Sequence, residues 1–507
     1  MLCLGLTAKS EATAPTIANL SPNFGTVGTT VIIYGNNFGS SRGTSTVQFN
    51  GTSVTTYNSW GSNKISVVVP SATTGTVTVT VPGISGGTGT STADFNVLAT
   101  NGMLALGAFP PQAATCSLPD YTGSNCIGDY RTDVITNGGA DGVVIAMQWS
   151  SIDLGDSAGT GPGCPTSGAS SSTCTWSVLD NLVNNYVGWS GWTKDKKVGI
   201  VLAPVTDGNL NLGTPAYVFT PTWATTNGSS PLDECTCSTW TGDSGAPQNQ
   251  CWNQSNGGST DISGMPAVWE TPFYIALEDF YNAAVAHFNS HATYSPYIAY
   301  VRMGLSGGGE EFPFCSANLE TLSSVSGHND SGLKTVWTGY ANTMAGYVGS
   351  TLTSQVPLMA APNGNASTAP AYSWADTEAS DGVADHLNLG SEGLQSADTF
   401  DTSCSSSGGS SNDWCYTFQT DAPVIRELQT LNYSDPSEST CTTNYFNHSH
   451  STSQNTGSLV CLLPFVEGKA NVVELYPEDM FAAFDSSNYT GYVSTYAGAI
   501  NNAQAGH

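Results

Sequence analysis

Two short apolar runs in the second half of the chain end in glutamate. Tyr297-Ile-Ala-Tyr-Val-Arg-Met303 leads through a glycine-rich stretch to Glu310 and Glu311, and Asn471-Val-Val-Glu474-Leu-Tyr476 carries Glu474 within the run itself. Cleavage of a glycosidic bond needs such a pair: one carboxylic acid protonates the leaving oxygen, and a second carboxylate attacks the anomeric carbon or activates water. Strand-end residues share one opening when their strands form a parallel (β/α) barrel. Glu310 is the favoured acid/base, because the glycines before it let its backbone approach a substrate closely, and Glu311 is the alternative. Glu474 is the favoured nucleophile. Glu392, in Leu389-Gly-Ser-Glu392-Gly-Leu-Gln395, is its alternative, and Arg302 is a structural partner open to Glu310 or Glu311.

Sugar rings stack their C–H faces on aromatic rings at the mouth of a cleft. Trp149, Trp223 and Tyr476 lie at the ends of predicted strands and are the substrate-binding candidates, with His386 as a hydrogen-bonding one. Gly304-Leu-Ser306-Gly-Gly308 fits the Gly-x-Ser-x-Gly pattern of a serine esterase, with Asp385 and His386 downstream. A nucleophile elbow must turn at once into a helix, however, whereas two glutamates and Pro313 follow here. Glu478 and Asp479 open a helix, where acidic residues complement the helix dipole without catalytic duty. His448-x-His450 is an isolated pair in a polar loop.

The elements that must position these residues alternate along the chain. Asp141–Trp149 is a nearly continuous apolar run, as expected of a strand buried on both faces. Trp176, Leu179, Leu182, Val183 and Tyr186 then recur at helical spacing. Further strands are predicted at 197–203, 217–219, 297–303, 356–360, 384–389 and 471–474. Helices are predicted over 273–288, 333–349 and 422–432. Strands alternating with helices over some four hundred residues predict an α/β fold, and its size and inserted loops favour a closed (β/α)8 TIM barrel over an open sheet.

Residues 14–98 are of a different kind, with only Arg42, Lys64 and Asp94 charged. Thr30–Tyr34, Thr46–Phe49, Lys64–Val69 and Gly75–Val81 alternate apolar residues with Thr or Ser, the pattern of a small all-β sandwich. Ile17, Leu20-Ser-Pro22, Gly25-Thr-Val-Gly28, Tyr34-Gly-Asn-Asn-Phe38-Gly39 and Val47-Gln-Phe49-Asn-Gly51 resemble the immunoglobulin-like IPT/TIG family, which implies a spacer, packing or binding module. Residues 99–507 resemble, more distantly, the retaining (β/α)8 glycoside hydrolases of clan A. Val144–Asp153 with Trp176–Asp180 is similar to the opening of its β-galactosidase-like members. That resemblance implies an acid/base after the fourth strand and a nucleophile at the end of the seventh. Counting strands from residue 142 brings Glu310 and Glu311 after the fourth and Glu474 onto the seventh. Where the clan carries asparagine before its acid/base, this chain has Gly309. The implied mechanism uses no metal and no organic cofactor, and the implied partner is a carbohydrate substrate.

Composition narrows the setting. The 507 residues hold 11 Lys and Arg against 39 Asp and Glu, a formal charge of -28, which repels nucleic acid and anionic membranes. Only 10 % of residues are charged, so Ser, Thr, Asn and Gly do most of the solvating. Setting Cys3 aside, the cysteines lie largely in loop sequence and read as disulfides formed in an oxidising compartment. The local pairs are Cys116 with Cys126, Cys164 with Cys174, Cys404 with Cys415, and Cys441 with Cys461, leaving Cys235, Cys237, Cys251 and Cys315 to pair among themselves. Residues 1–13 read as the remnant of a leader. No apolar stretch reaches the length of a transmembrane helix. The expected location is extracellular, secreted or held at the cell surface.

Overall fold

The computed structural model describes residues 13–98, 103–204, 220–227, 271–304, 358–361, 387–394, 425–430 and 458–505, less a few positions within those ranges, together with short pieces between them. The chain divides into two compact units, Met1–Thr100 and Asn101–His507.

In the first unit, β1 (Thr16–Ser21), β3 (Thr30–Asn36), β7 (Lys64–Val68) and β6 (Tyr57–Trp60) make one sheet in that order. The second sheet runs β2 (Phe24–Thr26), β9 (Thr88–Leu98), β8 (Gly75–Thr80), β4 (Thr46–Phe49) and β5 (Thr52–Ser53). The period of two is visible in burial: Val31 and Ile33, Ile65 and Val67, and Val77 and Val79 are buried, while Ile32, Ser66 and Thr78 between them are partly exposed. Phe49 meets Phe95 edge to face with 5.0 Å between ring centroids. Asn50 and Gly51, with φ of 42° and 83°, turn β4 into β5, the left-handed pair that a two-residue hairpin needs. The predicted β-sandwich is thus observed.

The second unit is built on a closed barrel of eight parallel strands. In order these are β10 (Leu104–Ala108), β11 (Gly142–Gln148), β12 (Lys197–Ala203), β13 (Ile298–Met303), β14 (Leu358–Ala360), β15 (Asn388–Leu394), β16 (Arg426–Thr430) and β17 (Val472–Leu475). The ring closes where β17 pairs with β10, Leu104 against Val472 and Leu106 against Glu474. Every residue of β11, β12 and β13 is buried, which explains why their sequences read as continuous apolar runs. Val143, Ile145, Met147, Ile200, Leu202 and Val301 belong to the large hydrophobic core that includes the surrounding helices.

Several expectations change. Leu104–Ala108 is the first barrel strand, although it was not among those predicted. Segment 217–219 lies outside the described residues, and β12 pairs directly with β13. Residues 426–430, within the helix predicted over 422–432, form the seventh strand. Ile425, Leu428 and Leu431 have helical spacing and Arg, Glu and Gln favour helix, but pairing on both sides with β15 and β17 overrides that local preference. Glu474 therefore lies on the eighth strand, while β13 remains the fourth.

Helices fill many of the connections. A helical turn, Cys126–Asp129, runs into a π-helix over Tyr130–Asn137 between β10 and β11. Helix α1 (Trp176–Val187) follows β11, and α2 (Thr271–Ser290) follows β12. Helix α3 (Leu459–Val466) precedes β17, and α4 (Pro477–Phe484) and α5 (Tyr496–Gln504) follow it. Of the helix predicted over 333–349, the described residues between 343 and 348 are helical. An aromatic ladder joins α1 to α2: Trp149 stacks on Phe280 at 5.3 Å, Phe280 on Trp176 at 5.9 Å, and Trp176 on His287 at 4.6 Å. Each such contact is worth about 0.5–1.5 kcal/mol beyond burial.

Disulfides Cys116–Cys126 and Cys164–Cys174 are present as expected, with Cα separations of 5.6 and 4.6 Å. Cys461 is disulfide-bonded. The expected partner of Cys461, Cys441, and the pair Cys404 with Cys415 lie outside the described residues, as do Cys237, Cys251 and Cys315. Among the described residues no helix is long and apolar enough to cross a membrane.

Candidate functional site

The barrel lumen holds a charged cluster. Strands four and eight of an eight-stranded ring face each other, so side chains of β13 and β17 can meet only through the interior. Tyr300 donates its hydroxyl hydrogen bond to Glu474 Oε1, and Arg302 Nη2 donates to the same oxygen at 2.8 Å. Arg302 Nη2 also reaches Glu427 Oε2 at 2.8 Å, and its Nη1 lies 3.4 Å from Gln429 Oε1. Tyr300 and Arg302 lie two apart on β13, as do Glu427 and Gln429 on β16, so each pair shares a face of its strand. Arg302, Glu427 and Glu474 have no solvent exposure.

Room for these groups comes from glycine. A Cβ at Gly199 on β12 would come within 2.5 Å of the Tyr300 hydroxyl, and one at Gly390 on β15 within 2.5 Å of Glu427 Oε2. One guanidinium balances one carboxylate, and moving a second negative charge into this interior is expensive. Burial accordingly holds the Glu474 carboxyl well above the usual carboxylate range. Its Oε1 is fixed by two donors, while its Oε2 is buried without a hydrogen-bond partner among the described residues. Because both carboxylates bind the same nitrogen, Glu427 Oε2 and Glu474 Oε1 are no further apart than twice 2.8 Å.

The cluster thus includes one predicted residue, Glu474, and three that the sequence reading did not single out as site residues: Tyr300, Glu427 and Gln429. Arg302, considered only as a partner for Glu310 or Glu311, forms ion pairs with Glu427 and Glu474. Sequence carried no strand signal for Glu427 and Gln429: Leu428 is the one apolar residue in Arg426-Glu-Leu-Gln-Thr430, and the segment reads as helix. Glu310, Glu311 and His386 lie outside the described residues, and so do Ser306 and Asp385 of the esterase alternative. Glu392 falls within β15 rather than after it, where pairing with β16 shifts between Ser391 and Leu394.

The aromatic candidates separate. Trp149 is wholly buried, with Trp223 edge-on to it at 5.7 Å, so both pack between the barrel wall and the outer helices. Tyr476 directly follows β17, keeps part of its surface exposed, and meets Phe109 edge to face at 6.3 Å. Phe109 directly follows β10 with φ of 49°. This aromatic pair thus sits at the C-terminal ends of two adjoining strands, the face on which parallel barrels carry their sites.

Around the lumen, other buried acids have structural work. Asp153 Oδ1 accepts from the backbone of Gly155 at 3.0 Å and Gly163 at 2.8 Å, shaping the loop that the Cys164–Cys174 bridge closes. Asp479 lies in the first turn of α4 as expected, but it is buried and accepts from the Ser434 backbone at 2.8 Å and hydroxyl at 2.6 Å. Burial outweighs those bonds and pushes its pKa up to about 7.

Comparison with known proteins is informative for the first unit. Residues 15–97 match the model of the IPT/TIG domain, so the expected N-terminal module is present. No curated protein matches the chain. Solved structures with local likeness include an auxiliary nutrient binding protein from Bacteroides thetaiotaomicron, 22% identical over 19% of this chain and 24% of that one, with a TM-score of 0.16. A gamma-CGTase from an alkalophilic Bacillus clarkii is 30% identical over 18% of this chain and 13% of its own, TM-score 0.15. SGBP-B from a xyloglucan utilization locus in Bacteroides uniformis is 22% identical over 21% and 32%, TM-score 0.15. The chain spans a third or less of each of these proteins.

Proposed function

We propose that the second unit is an extracellular glycoside hydrolase acting on a β-linked glycan through two carboxylates, with Glu474 as nucleophile. The observation that carries this reading is the way Glu474 is held within a closed parallel barrel. Tyr300 and Arg302 fix one carboxylate oxygen, and the other has no partner among the described residues. A nucleophilic carboxylate needs that asymmetry, one oxygen oriented and one available to attack the anomeric carbon. The acid/base is Glu310, with Glu311 as alternative; both continue the chain from β13, the strand whose Tyr300 and Arg302 already reach Glu474. The acid/base gives its proton to the departing glycosidic oxygen as Glu474 forms the glycosyl ester. It then takes a proton from the water that releases the sugar and restores the Glu474 carboxylate.

A second reading, glycan binding without cleavage, is favoured by the complete burial of Arg302, Glu427 and Glu474. In that case the cluster is only a polar brace inside the barrel, and ligands would meet Tyr476 and Phe109 at its rim.

Release of reducing sugar from β-glucans, xylans, mannans and galactans decides between them. Wild type should be active, and Glu474→Gln and one of Glu310→Gln or Glu311→Gln should lose on the order of 10²–10⁴-fold. Because Glu474 must ionise to attack and burial opposes this, activity should fall on the acid side at a pH above the ordinary carboxylate range. Wild type that binds a glycan but releases nothing, or Glu474→Gln that stays active, would overturn the assignment.

A further inference from the structure

We propose that Asp180, His287 and His291, on the outer helices of the barrel unit, form a structural site for a zinc-like divalent cation. Asp180 comes from α1 and His287 from α2, and His291 directly follows the last residue of α2. Histidines four apart share one side of a helix. Asp180 Oδ1 lies 2.9 Å from His287 Nε2 and 3.7 Å from His291 Nε2, and all three ligand atoms fall within 4.8 Å of one another. A tetrahedral zinc ion with bonds of about 2.0–2.1 Å places its ligands roughly 3.3 Å apart, between those two separations.

The hydrogen bonds around His287 call for a cation. Its Nδ1 lies 3.2 Å from the carbonyl oxygen of Gly168, which can only accept, so Nδ1 carries a proton. In the neutral ring, Nε2 then presents a lone pair to Asp180 Oδ1, itself an acceptor when ionised. Tyr294 does not relieve the conflict. Its hydroxyl lies 2.6 Å from Asp180 Oδ1 and 3.1 Å from His287 Nε2, but its single proton serves only one of them. A divalent ion bound by both acceptors resolves the conflict, and the bond from Nδ1–H to a backbone carbonyl is the outer-shell contact that orients metal-binding histidines. Two imidazoles and a carboxylate suit zinc, with Tyr294 or water in the fourth position.

The site reaches into packing on every side. The ring of His287 is stacked on Trp176, and Gly168 belongs to the loop between Cys164 and Cys174. A cation there would tie that loop, α1 and α2 together, while partial exposure of Asp180 and His291, at 19% and 21% of their side-chain surface, gives an ion access.

The test uses the full chain, stripped with a chelator and then titrated with Zn²⁺ and with Co²⁺. The expected result is one equivalent bound, the intense visible absorption of a tetrahedral Co²⁺ centre, and a rise in thermal midpoint that chelator reverses. His291→Ala and Asp180→Asn should each weaken Zn²⁺ binding at least tenfold, with circular dichroism showing the fold retained. His448→Ala together with His450→Ala should change nothing. Absence of stoichiometric binding to folded wild type would overturn the site. Undiminished binding to folded His291→Ala would overturn it equally.

Discussion

The two units solve the problem of an interior in opposite ways. The core of the sandwich is made of Val31, Ile33, Phe38, Val47, Phe49, Ile65, Val67, Val77, Val79 and Phe95, side chains that ask nothing of their neighbours but shape. The barrel instead encloses a guanidinium, two carboxylates and an amide. Apolar packing stabilises whatever its order, at about 25 cal/mol per Å² buried, whereas a buried ion costs several kcal/mol unless its partners are well aimed. Such a lumen is a poor route to stability alone, and it is in the lumen that chemistry is proposed.

The sharpest way to break this contrast is to remove Arg302. Arg302→Met leaves Glu427 and Glu474 without their shared partner and should destabilise the barrel unit by about 3–5 kcal/mol. A urea titration following barrel tryptophans would detect it. Adding Glu427→Leu and Glu474→Leu should restore much of the loss, because an apolar set can replace a buried charge cluster with little penalty. If the triple variant stayed as unstable as the single one, the cluster would be structurally indispensable and the contrast would fail.

A smaller effect is expected from the glycine that makes space. Gly199→Ala drives a methyl group toward the Tyr300 hydroxyl and should cost about 1–3 kcal/mol, measurable by the same titration. In the sandwich the comparable change is Ile33→Val, expected to cost only about 0.5–1.5 kcal/mol because no polar partner is disturbed.

A further effect is one of pH. Asp479 has a folded pKa of about 7 against an ordinary value of 3.8, so the folded state binds its proton more tightly than the unfolded state does. Its contribution to stability is full below the unfolded value and is lost as pH rises toward and through about 7. The thermal midpoint of the barrel unit should therefore fall by on the order of a few °C between pH 4 and pH 7, and Asp479→Asn should flatten that slope. The sandwich has no buried acid to respond in this way among its described residues.

Legibility in the sequence followed the same divide. The sandwich could be read because one face of each strand is dry and the other wet, so alternation records the fold directly. Barrel strands such as β11 and β12 could also be read, as apolar runs. Leu104–Ala108 is short and small in side chain and gave no strand signal, although the ring cannot close without it. Arg426–Thr430 carries residues that favour helix, and what makes it a strand is pairing with β15 and β17, contacts remote in sequence. Glu474 was conspicuous as a lone acid inside an apolar run. Glu427 was concealed by the same error that concealed its strand, and His287 and His291 by an otherwise ordinary amphipathic helix.

The seam between β10 and β17 also governs how the protein can be made. Leu104 leaves the ribosome hundreds of residues before its partner Val472. At about 5–20 residues per second the wait is roughly 20–70 s. The sandwich can be complete before the barrel has more than its first strand, while the barrel must remain an open sheet with unpaired edges until Val472–Leu475 has been made. A ribosome stalled before residue 472 would thus display a finished first unit and an aggregation-prone second one, which only the arrival of Val472–Leu475 can seal.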